Sequence, residues 1–147
     1  MFFYFRPAIQ LNSMENIHQK YAQLLVNYCL AVKENDKVYI NSSYLAEPLL
    51  AEVAKEVYKA GGIPVFNIEL KGMGNWALEF AGEQQLAWVN PMKKLMFETF
   101  DAFLNIRAPF EKGDDEQEPS DQNRFKILQN AQREINKIYF ERTGNGS

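Results

Sequence analysis

Between Lys37 and Leu70 the chain reads KVYINSSYLAEPLLAEVAKEVYKAGGIPVFNIEL. A short β-rich run, Val38-Tyr39-Ile40, closes on the polar Asn41-Ser42-Ser43. Apolar residues then recur at Leu49, Leu50, Val53, Ala54, Val57 and Tyr58, the three-and-four spacing of one helix face, while Glu52, Lys55, Glu56 and Lys59 fill the other. Gly61-Gly62 ends that helix, because glycine accepts the left-handed conformation of a C-terminal cap. Pro64-Val65-Phe66-Asn67-Ile68 reads as a second strand. Strand, helix, strand over this length is a βαβ unit, which implies parallel strands joined by a right-handed crossover.

The same reading extends along the rest of the chain. Ser13 is placed to cap a first helix, with Glu15 well set against the helix dipole. Ile17, Tyr21, Leu24, Leu25 and Tyr28 would line its buried face, and Asn35-Asp36 turns the chain into the first strand. After the βαβ unit, Lys71-Gly72-Met73-Gly74 reads as a plain turn, since the GxGxxG spacing of a phosphate loop is lacking. Short helical pieces follow at 76–81 and 84–88. Pro91 opens another helix, carrying Met92, Leu95, Met96 and Phe100, a stripe that reads as core in preference to a ligand cleft. Asp101–Arg107 is a third strand, and Asp121 caps a final helix with Phe125, Leu128, Ala131, Ile135, Ile138 and Tyr139 on one face. The pattern predicts a small α/β domain of Rossmann-like, three-layer form, with a short parallel sheet and helices on both faces.

Length and composition fit one soluble domain. A chain of 147 residues buries roughly 70% of its unfolded surface, enough for a real core. The domain is expected over residues 14–142, with 1–13 as an N-terminal extension and 143–147 as a tail. Met14 directly precedes a well-formed helix, so it competes with Met1 as the start. The net charge of −3 is concentrated: residues 111–121, EKGDDEQEPSD, hold six acids and one lysine and read as a solvated loop. No basic patch with interleaved aromatics suggests a nucleic-acid partner, and no apolar run approaches the ~18 residues of a membrane span. Cys29 is the single cysteine, expected to be a packed, inert thiol in a reducing compartment, and the first residues lack the basic region of a signal peptide. The expected location is the cytoplasm.

Chemistry-bearing groups are sparse. His18, the only histidine, is expected on the exposed side of the first helix, and one His with one Cys makes no zinc cluster. No catalytic residue and no metal ligand is assigned. The best local candidate is the turn after the first strand, because open parallel sheets gather ligands at the carboxyl ends of their strands. Ser42, Ser43, Tyr44 and Glu47 sit there, and Arg107 would emerge at the same edge. These groups either hold a carboxylate or phosphate, or the serines cap the following helix while Arg107 pairs with an acid.

Three stretches together resemble a known family. YAQLLVNYCLAVKENDKVYINSSYLAEPLLAEVAKEVYKAGGIPV, GEQQLAWVNPMKKLMFETFDAFLNIRAP and RFKILQNAQREINKIYFERTGNG resemble, in order, the N-terminal domain of the metallo-aminopeptidases of the aminopeptidase T and aminopeptidase S type, the thermophilic metalloprotease family. In that family a helix of the form YAxLLVxY leads into a strand, a polar turn, then AEPL and a helix ending in AGG or AGA. The resemblance implies a homodimeric enzyme, more than twice this length, that removes N-terminal amino acids from peptides with two divalent ions of the zinc, cobalt, manganese or magnesium type. The family's metal ligands belong to its C-terminal half, and none has a matching position here. A domain of this kind helps enclose the active site, so the implied role is substrate access and assembly, with the 147 residues inactive alone. The rival readings are a stand-alone module binding an anionic ligand at Ser42–Tyr44 and a pure protein-interaction domain.

Overall fold

The computed structural model describes residues 2–4, 11–110 and 121–144. The acidic run at 111–120 and the tail from residue 145 lie outside the described residues, and so do the side chains of Ser13 and Glu15. The chain forms two compact units, residues 1–70 with 100–110 and residues 71–99 with 111–147.

The first unit is built on a four-stranded, wholly parallel sheet in the order β1-β4-β2-β3, with β1 at Phe2–Tyr4, β2 at Lys37–Ser43, β3 at Ile63–Glu69 and β4 at Ala102–Arg107. The α/β fold is as expected, with one strand more than the pattern predicts. β1 has only three residues, and its pairing of Phe3 with Ile106 joins the two ends of the unit, so local patterning carries little trace of it. β2 is also longer than predicted: Asn41, Ser42 and Ser43 continue the strand, and the turn comes at Tyr44–Ala46.

Helix α1 (Leu11–Gln23) runs into a wider π turn over Leu24–Cys29, and α2 (Glu47–Lys59) packs against it. Strand alternation puts Val38, Ile40 and Ser42 of β2 on one face with Leu104 and Ile106 of β4. Those residues join Ala22, Leu25 and Val26 of the first helix and Leu49, Val53 and Val57 of α2 in one core. Burying a core residue of this size contributes about 1.5–3 kcal/mol. Gly61, at φ 84°, ends α2: Gly62 donates its N–H to the Val57 carbonyl and Gly61 donates to Tyr58.

Several expectations about faces are corrected. Ser13 lies inside α1, which begins at Leu11, and therefore is not its cap. His18 is buried, while Ile17, Tyr21, Leu24 and Tyr28 are exposed. The buried stripe is His18, Ala22, Leu25 and Val26, one residue round from the predicted one. Both stripes keep helical spacing, and the smaller side chains face the close approach of α2. Cys29 is exposed at the end of the π turn. In α2, Glu56 is buried and accepts a 2.8 Å hydrogen bond from the Lys59 ammonium, whereas Tyr58 is exposed.

The second unit is helical, with α3 at Met73–Phe80, α4 at Glu83–Ala87, α5 at Pro91–Thr99 and α6 at Gln122–Gly144. The Asp121 carboxylate accepts the Asn123 N–H at 3.0 Å and so caps α6, as its position predicts. Leu86, Ala131 and Ile135 are buried, and the rings of Phe97 and Tyr139 lie 5.1 Å apart. Arg124 on α6 donates to the carbonyls of Leu78 and Ala81 at the end of α3, and Arg142 donates to Phe97 of α5. The stripe on α5 is not core: Met92 and Leu95 are more than half exposed.

Candidate functional site

The predicted edge gathers five residues, and the structure divides them. Ser42 faces the helices, is 3% exposed, and its hydroxyl has no hydrogen-bond partner among the described residues. Ser43 faces the other way and donates a 2.6 Å hydrogen bond to the carbonyl of Ala108. Neither serine caps α2, whose cap position is Ala46 with no side-chain bond. The first turn of α2 carries Glu47 and a proline, Pro48, that needs no N–H partner there.

Tyr44 is half exposed, with its ring 5.7 Å from that of Phe110, and Arg107 is exposed at the last position of β4. Of the five, Tyr44 and Glu47 come together. They close one end of a groove of about 370 Å³ whose walls are Leu50, Ala51 and Ala54 from α2 and Phe66 and Ile68 from β3. Ser42, Ser43 and Arg107 do not line it. Glu47 supplies the only charge in the lining and forms no ion pair among the described residues.

Sequence reasoning did not find this groove. Its signal was present in β3, where Phe66 and Ile68 alternate with Asn67 and give the strand one apolar face. A second unpredicted feature is a row of amides across the opposite face of the sheet. Asn67 donates to Asn41 at 2.6 Å, and Asn41 donates to Asn105 at 2.8 Å. The three residues are in register, so the amides chain across neighbouring strands and tie β3, β2 and β4 together. Each of the observed strands β2, β3 and β4 carries a single asparagine.

Burial pushes the Tyr39 phenol up, and the hydrogen bond from Lys59 to Glu56 raises the Lys59 ammonium. Neither lines the groove.

With this geometry the comparisons with known proteins can be placed. The model of the thermophilic metalloprotease (M29) family matches residues 14–147. The chain belongs to that family. No curated protein matches it. Among solved structures it is similar to wild-type AmpT from Thermus thermophilus, with a TM-score of 0.65 and 16% identity over 87% of this chain. At that identity the likeness establishes a shared fold, and the chain spans 33% of the AmpT chain. A metallopeptidase centre needs converging His, Asp, Glu or Cys ligands. No group of three such side chains converges among the described residues. Among the same residues no helix is long and apolar enough to cross a membrane.

Proposed function

We propose that this chain is the N-terminal substrate-access and assembly domain, over residues 14–142, of a metal-dependent aminopeptidase that removes N-terminal amino acids from peptides. The observation that carries the reading is the pairing of a family match over residues 14–147 with a span of 33% of AmpT. Two divalent ions, of the zinc, cobalt, manganese or magnesium type, belong on this reading to ligands supplied by the remainder of a longer enzyme. The domain has a Rossmann-like role, a small parallel sheet offering its carboxyl edge to a cleft. Tyr44, Glu47 and Arg107, the exposed members of that edge, are offered to the peptide, while Ser43 holds the strand end in place through its bond to Ala108. The whole enzyme acts as a cytoplasmic homodimer, with neither nucleic acid nor membrane as a partner.

The test is direct. The purified chain, checked for fold by circular dichroism, is incubated with zinc, cobalt, manganese or magnesium and with aminoacyl p-nitroanilides. No hydrolysis above the buffer rate is expected. Turnover at about 1 s⁻¹ or faster, an ordinary enzymatic rate, would overturn the reading.

A further inference from the structure

Among the described residues β3 ends the sheet, with no strand on its outer side. Ile63 donates its N–H to the Asp36 carbonyl at 2.8 Å, so the odd positions of β3 turn their peptide groups toward β2. Peptide groups alternate along a strand, which turns Pro64, Phe66 and Ile68 outward. Pro64 has no N–H to leave unpaired there, which is where an edge strand tolerates proline. Phe66 and Ile68 each present an open N–H and C=O.

Proteins usually guard such an edge with charged side chains, a bulge or a covering element. Here Pro64 blunts the start of the edge and Glu69 its end, while between them the outward positions bear Phe66 and Ile68, 37% and 36% exposed. The same two side chains form one wall of the groove against α2, with Glu47 as its single charge. A row of open peptide groups beside an apolar groove matches the way proteins add a foreign strand: main-chain bonds give affinity, and pockets for alternate side chains give selectivity.

We infer that the β3 edge and its groove receive an extended segment of another polypeptide as an added strand. That segment carries apolar side chains at alternate positions, which enter the groove beside Phe66 and Ile68, and a cationic group, a basic side chain or free N-terminus, set against Glu47. The inference shares Glu47 and a peptide ligand with the aminopeptidase reading, but it is argued from the β3 edge and the groove wall of Phe66 and Ile68, not from a metal.

The probe is the peptide Lys-Thr-Val-Thr-Val-Thr with a free N-terminus and a C-terminal fluorophore, followed by fluorescence anisotropy against the full chain. Saturable binding is expected. Ile68→Pro removes an outward N–H and leaves the bonds to β2 in place, so it weakens binding at least about tenfold. Glu47→Gln weakens the lysine peptide severalfold and leaves an acetylated peptide with glutamate in place of lysine unchanged. Circular dichroism checks each variant, and Phe66→Thr, which keeps the backbone groups and empties the groove wall, serves if Ile68→Pro does not fold. The inference is overturned by an absence of saturable binding, or by binding that the folded variants leave intact. It is equally overturned if sedimentation shows a dimer of the chain that these substitutions dissolve, because the edge would then belong to a second copy.

Discussion

The Ser43 hydroxyl donates a 2.6 Å hydrogen bond to the carbonyl of Ala108, joining the last residue of β2 to the residue after β4. Both groups are buried, and the bond holds the carboxyl ends of two neighbouring strands in fixed relation. One residue earlier, Ser42 is as deeply buried and makes no such bond. Two adjacent serines thus have opposite energetic roles.

Urea denaturation will separate them. Ser43→Ala leaves a buried carbonyl unpaired and costs about 1–3 kcal/mol. Ser42→Ala removes a hydroxyl that is buried without a partner, so the variant is expected to match the parent or gain about 1 kcal/mol. Equal losses at both positions would contradict this assignment.

Tight backbone approaches at the end of the first unit's helices give a second contrast. A methyl group on Gly62 would lie 2.7 Å from Val32 Cγ1 and 3.0 Å from Val57 Cγ1, so Gly62→Ala is expected to destabilise by about 1–3 kcal/mol. Ala31 holds φ 49° after the π turn, a conformation that costs an alanine energy and a glycine almost none. Ala31→Gly is expected to stabilise by about 0.5–1 kcal/mol, read from the same denaturation curves.

Arg124 closes the helical unit by donating to the carbonyls of Leu78 and Ala81. Hydrogen bonds from a charged group are worth about 1.5–3 kcal/mol, and Arg124→Ala should lose that amount in thermal unfolding. Arg124→Lys should recover little of it, because an ammonium lacks the planar fork that reaches both carbonyls.

Tyr39 packs against the rings of Phe100 and Phe103, at 5.9 Å and 6.2 Å between centroids, and burial raises its pKa. A raised folded-state value means the folded protein holds the phenolic proton more tightly than the unfolded chain. The associated stability is fully present below about pH 10, the ordinary tyrosine value, and is lost as pH rises through the folded value. Tyr39→Phe should therefore show a shallower decline in stability above about pH 10, followed by denaturation at a series of alkaline pH values.

Much of this architecture was legible in the sequence, for reasons that can be stated residue by residue. The βαβ unit announced itself because its helix has one apolar face and ends in Gly61, whose positive φ is the conformation expected of the cap. Asp121 was legible as a cap because carboxylates beside a run of helix formers have one common use. The first helix misled because Ile17, Tyr21, Leu24 and Tyr28 repeat with the same period as the buried His18, Ala22 and Leu25. Periodicity alone does not choose between two such stripes, and the fit against α2 does. The polar run Asn41-Ser42-Ser43 looked like a turn because polar residues usually end strands. Here Asn41 is paired by amides on both sides and Ser43 by Ala108, so the strand continues through them. The groove depends on β3 being an edge, a property of sheet order that local pattern does not contain.

The central claim, that these residues form one domain of a longer aminopeptidase, is tested most directly by the denatured mass of the native protein. An antibody against the purified chain, applied to a denaturing gel of the source cells, would read it. The account predicts a band at more than twice the 17.0 kDa of this chain, in keeping with its span of 33% of AmpT. A single band at 17.0 kDa would contradict it and leave a stand-alone module whose function lies in its own groove and sheet edge.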